Sequence, residues 1–159
     1  MMNRLAIALT LTFAVVLAAP AMAQNTGTSN MDILRQKIKA DKKLVVAENL
    51  NLTDAEGAKF WPVYEAYQKD LQQINERMVK AIQAYATAYN KGPVTNEAAK
   101  PLLDEALAID DAEAAMKRAA APKILAALPA TKAARYIQIE NKIRAAIRYE
   151  LAAGIPLVQ

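Results

Sequence analysis

The residue types that most often carry chemistry are nearly missing from this chain. It has no cysteine and no histidine, and beyond residue 23 its sole serine is Ser29. Thiol nucleophiles, Ser-His pairs, Cys/His zinc sites and the commonest general base are thereby excluded, which leaves carboxylate, lysine and tyrosine chemistry. The densest carboxylates, Asp104, Glu105, Asp110, Asp111 and Glu113, lie in a helical stretch where those spacings spread them around the axis. A hard cation needs several oxygens converging at close range, so no metal site and no cofactor is expected. Thin helices imply no concave pocket for a glycosidase-type carboxylate pair, and no enzymatic activity is expected.

Helix faces remain as the means of action. Tyr136, Ile139, Ile143, Ile147 and Leu151 recur at helical spacing, with Arg144 and Arg148 on one margin and Arg135 and Lys142 on the other. Such a face can take exposed apolar groups of a client or partner while its cations attract acidic segments, and it can equally be core edged by solvated charge. Tyr64, Tyr67, Tyr85, Tyr89, Tyr136 and Tyr149 have the same two readings, binding surface or packing between helices. Charge is also uneven. Glu97 to Glu113 is acidic apart from Lys100, and Lys117 to Arg148 is basic apart from Glu140, a polarity that can guide antiparallel pairing.

The elements that must hold these faces are all helical. Glycine is scarce, Ala, Leu, Lys, Glu and Gln dominate, and no strand-like alternation stands out, so the fold class expected is all-α. A first helix is expected from Asp32 to about Asn49. The second opens at Thr53, with Glu56 three residues on completing a capping box and Leu52 placed as a staple. Pro62 predicts a kink near Ala58 to Trp61 or a short helix feeding a longer one. Beyond it Phe60, Tyr64, Tyr67, Leu71, Ile74, Met78, Ala81 and Tyr85 form a seam with steps of four and three. Asn90-Lys91-Gly92-Pro93 is a turn and Thr95 the next N-cap. A third helix follows to about Leu128, bent at Pro122, with Ala106, Ala114, Ala115, Ala119 and Ala120 suited to close approach of the second. A fourth covers about Ala130 to Ala153 and stops at Gly154 and Pro156. The apolar tail Ile155-Pro156-Leu157-Val158 either folds back or docks on a partner.

The first 23 residues read as a cleavable signal peptide: Arg4, an uncharged run from Leu5 to Ala19, then Ala21-Met22-Ala23 as cleavage site. That run is too short for the roughly 20 residues that span a bilayer, so no stable membrane insertion is expected. Residues 24–31 are read as a flexible leader and 32–159 as a single helical domain. The net charge of +4 is mild, and an exported chain rarely meets nucleic acid, so no nucleic-acid partner is expected.

Two helix entrances repeat one another. Leu52-Thr53-Asp54-Ala55-Glu56-Gly57-Ala58-Lys59-Phe60 and Leu128-Pro129-Ala130-Thr131-Lys132-Ala133-Ala134-Arg135-Tyr136 share leucine, alanine, a basic residue and an aromatic ring at matching places. Each reads as a leucine staple before a helix that buries a ring and turns a cation outward. On these motifs the chain, over roughly Lys42 to Leu151, resembles the Spy/CpxP group of periplasmic stress proteins with their LTxxQ motifs. Here Glu56 and Lys132 stand at the glutamine position and Pro129 at the second threonine. The resemblance implies an elongated helical hairpin of about four helices, a homodimer forming an antiparallel cradle, a periplasmic location, and ATP-independent binding of unfolded protein clients. A regulatory partner of an envelope-stress sensor kinase is the alternative it implies.

Overall fold

The computed structural model describes residues 41–159. The signal peptide, the leader over 24–31 and the start of the first helix lie outside the described residues. Every regular element among the described residues is an α-helix, so the fold is all-α. The single helical domain read over 32–159 falls, where described, into two compact units that divide at Asn51 and Leu52.

The described part of the first unit is α1, residues 41–50, in which Val46 and Leu50 are fully buried. Asn51 ends it with φ +45° and its N–H donating to the Ala47 carbonyl. Asparagine tolerates that left-handed conformation better than most side chains do, which makes it a natural stop.

In the second unit α2 spans Asp54–Tyr89, α3 Asn96–Ala127 and α4 Ala130–Gly154. At 1.5 Å per residue α2 is about 54 Å long, so its apolar side must be covered by other long helices. Pro62 sits inside it without breaking it, so the short feeding helix entertained from the sequence is absent. The expected seam faces inward: Phe60, Tyr64, Tyr67 and Ile74 are buried, and Leu71, Met78, Ala81 and Tyr85 half-buried.

The turn after α2 uses Gly92 at φ +130°, a conformation that a Cβ would strain. Thr95 then caps α3, its hydroxyl accepting from the Ala98 N–H. α3 returns antiparallel to α2, and Arg77 joins Glu105 through two 3.1 Å hydrogen bonds across the pair. Near the turn Ala81, Ala84 and Ala88 line a groove with Ala98, Pro101 and Leu102. The alanines expected to mediate close approach are elsewhere. Ala106, Ala114, Ala115 and Ala119 face solvent and Ala120 is half-buried, because Ile109, Glu113 and Ile124 define the inward side of α3.

Leu128 and Pro129 alone separate α3 from α4, and the chain reverses so that α4 runs alongside α2 in the same direction. No Cα of α4 comes within 8 Å of one in α2. Aromatic rings fill the space between them. No helix among the described residues is long and apolar enough to cross a membrane.

Candidate functional site

The two repeated entrances meet in space. Thr53 and Glu56 form the expected capping box, with the Glu56 N–H donating to the Thr53 hydroxyl at 3.3 Å and the Thr53 N–H donating to Glu56 Oε2 at 2.8 Å. That same oxygen accepts from Lys132 Nζ at 2.7 Å. The fifth residues of the two repeated entrances, Glu56 and Lys132, are therefore an ion pair with one another. Hydrogen bonds from Lys132 and then from Thr53 hold the Glu56 carboxyl below the usual carboxylate range. The arrangement also serves α4, which begins at Pro129 with no side-chain cap and no acid in its first turn. Lys132, in the first turn of α4, ties that turn to the capping box of α2.

One turn further in, the motif aromatics touch. Phe60 and Tyr136 are both fully buried, their centroids 5.0 Å apart and their planes at 81°, an edge-to-face arrangement. Tyr64 and Tyr67 flank Tyr136 at 6.1 and 5.6 Å. Burial pushes the Tyr64 phenol up to about 12, with the charges of Glu140 and Glu65 adding to it. Tyr136 and Tyr67 are raised for the same reason, and Glu140 reinforces both. The motif leucines differ: Leu128 is buried and Leu52 half-buried. The motif cations Lys59 and Arg135 point outward, as the repeat implies.

Below the rings lies a polar layer that the sequence reading missed. Gln68 Nε2 donates to the buried Glu140 carboxylate at 2.9 Å and to the Tyr136 hydroxyl at 3.3 Å. Arg144 is buried as well, donating from Nε to Glu113 at 2.8 Å and from Nη1 to Asn75 at 2.6 Å. Glu113 is shared further, with Lys117 at 2.8 Å and Arg148 at 3.1 Å, while Arg148 also reaches Asp110 at 2.6 Å. Burial acts to raise the Glu113 carboxyl, but the hydrogen bonds and charges of Lys117 and Arg144 outweigh it and bring it down to about 2. Asp110 and Glu113, at the end of the acidic stretch, thus pair antiparallel with Arg148 and Arg144 of the basic one, while Glu105 pairs with Arg77 of α2 and Asp104 with Lys100 of α3 itself.

This layer corrects the partner face drawn on α4. The inward side is Ala133, Tyr136, Glu140 and Arg144, rotated toward the arginine margin. Tyr136 and Arg144 are therefore interior groups, and Arg148 is half-exposed but engaged with α3. Ile139 and Ile143 are half-buried, Ile147 is 36% exposed, and Arg135 and Lys142 are exposed on the solvent side. What remains at the surface is a partly open isoleucine row beside two cations. Glu140 had one legible signal, being the lone acid of its basic stretch and four residues from both Tyr136 and Arg144.

The carboxylates of α3 are drawn into these pairs or face water, and among the described residues no group of three or more acids could hold a metal ion. The tail partly folds back: the Tyr85 hydroxyl donates to the Pro156 carbonyl at 2.9 Å and Gln159 Nε2 to the Tyr89 hydroxyl at 3.1 Å. Leu157 nevertheless stays 87% exposed. Compared with protein-family models, curated proteins and solved structures, the chain matches none.

Proposed function

We propose that this protein binds unfolded or aggregation-prone polypeptides in the periplasm without ATP, in the manner of the Spy/CpxP group. The observation that carries the reading is the outer side of α4. Ile139, Ile143 and Ile147 are partly open to solvent there, and Arg135 and Lys142 border them as exposed cations. An unfolded chain offers apolar side chains interspersed with acids, and a shallow apolar row with adjacent positive charge can hold such segments weakly and reversibly. The paired entrances support the same reading differently. By fixing the start of α4 against α2 they keep that row in a set orientation. The leader sequence supports export, and a compartment lacking ATP suits binding that needs no nucleotide.

The test is suppression of aggregation of a chemically denatured client by the purified exported protein at near-stoichiometric ratio. Suppression is expected, and the double variant R135E/K142E should lose most of it while keeping its helical content. No suppression by the wild-type protein, or equal suppression by the variant, overturns the proposal. Capture of one folded sensor domain without protection of denatured clients would favour the regulatory-partner alternative.

A further inference from the structure

Met78 and Arg144 touch across the gap between α2 and α4, where only long side chains reach. Met78 belongs to the inward seam of α2 and is half-buried, and the Arg144 side chain on α4 is 8% exposed. Each nitrogen of that guanidinium is turned to an acceptor. Nε donates to Glu113 at 2.8 Å and Nη1 to Asn75 at 2.6 Å, while Nη2 stands 2.7 Å from Glu113 Oε2 and 4.0 Å from the Met78 sulfur. Three of these contacts are to oxygen. The fourth is to a thioether, a weak acceptor, so a buried charged donor is aimed at a group that satisfies it poorly.

We propose that Met78 is a site of reversible oxidation by hydrogen peroxide, and that Arg144 receives the resulting sulfoxide so that the modification holds α4 against α2 more firmly. Being half-buried and not sealed, Met78 is open to an oxidant little larger than water. In the step itself a sulfur lone pair attacks one peroxide oxygen and the O–O bond breaks. The other oxygen leaves with both protons as water, and the two electrons that sulfur loses are those that peroxide gains. The new oxygen is a strong acceptor. Standing one bond out from sulfur on the side of Arg144, it comes to the roughly 2.7–2.9 Å of a charge-assisted hydrogen bond. In most cores the same step sets an unpartnered polar group among apolar side chains and disrupts them. Here the donor is already in place, held by Glu113 and Asn75. Thiol-dependent reduction restores the sulfide, two thiols becoming a disulfide as the oxygen departs in water. The inference does not depend on client binding, since Met78 and Arg144 lie apart from the α4 residues assigned to that role.

Leucine and glutamine at position 78 give the first test. At a half-buried seam position leucine is ordinarily the more stabilising of the two, whereas here glutamine sets a carbonyl oxygen where the sulfoxide oxygen would stand. Met78→Gln should therefore unfold at a higher urea concentration than Met78→Leu. In E113Q/R144Q, which removes both members of the buried pair so that neither charge is left alone, the order should revert to leucine above glutamine. The second test is the modification itself. With M31L/M116L, Met78 is the one methionine beyond residue 23. Treated with hydrogen peroxide while folded, that variant should gain the mass of one oxygen with its ellipticity unchanged, and its urea midpoint should rise. Leucine above glutamine in the otherwise wild-type chain, an advantage of glutamine that survives in E113Q/R144Q, a midpoint unchanged or lowered by oxidation, or oxygen uptake only after unfolding overturns the inference.

Discussion

Glu113→Gln isolates the charge at the centre of the buried polar layer. The Glu113 and Arg144 side chains are 5% and 8% exposed, so little water screens the pair. A carboxyl titrating near 2 when folded and near the ordinary 4.5 when unfolded contributes about 3 kcal/mol at neutral pH, at about 1.4 kcal/mol per pH unit. Removing one member of a buried pair costs about 3–5 kcal/mol by the same physics, because the other charge stays behind unneutralised. The sign follows from the depressed pKa. Above pH 4.5 the group is ionised in both states and its contribution is complete; as pH falls toward 2 the unfolded chain takes up the proton first and the contribution disappears. At pH 3 about 1 kcal/mol remains. Urea unfolding followed by circular dichroism should therefore show Glu113→Gln less stable by about 3 kcal/mol at pH 7, with the gap narrowing by about 2 kcal/mol at pH 3. A difference below about 1 kcal/mol at pH 7, or one that stays constant between the two pH values, refutes the reasoning.

Other consequences are as open to measurement. Tyr136→Ala empties the centre of the ring cluster and should cost about 3–5 kcal/mol in the same unfolding experiment, whereas Tyr136→Phe, which keeps the ring, should cost far less. Thr53→Ala removes the α2 cap and should cost about 1 kcal/mol, seen as earlier hydrogen exchange in the first turn. Gly92→Ala meets no neighbouring atom within 4 Å yet forces alanine to φ +130°, so a loss of about 1–2 kcal/mol is expected with no change in the packed helices.

Local signals carried most of the fold. The capping box at Thr53 and Glu56, the cap at Thr95, the seam from Phe60 to Tyr85 and the reversal at Leu128-Pro129 are short-range chemistry, and each lies where its residues put it. The inward faces of α3 and α4 were harder because both are set by buried charge. Hydrophobic periodicity counts Glu113, Glu140 and Arg144 as outward, which turned the α4 stripe away from its true side and left the alanines of α3 without a phase. Gln68 and Asn75 carried no sequence signal at all: their role exists only because α4 returns beside α2. At the entrances the reverse holds. Glu56 and Lys132 look like departures from a glutamine motif when read singly, and the structure shows them to be complements.

The ring cluster has an optical consequence. Trp61 is the chain's one tryptophan, half-buried at 5.2 Å from Phe60 and 5.4 Å from Tyr64, the rings that contact Tyr136 on α4. Its emission thus reports on whether α4 is seated, separately from the backbone signal of the α2 and α3 hairpin. A spectral shift of Trp61 that precedes loss of ellipticity would mark release of α4 as an event of its own, observable without attaching any dye.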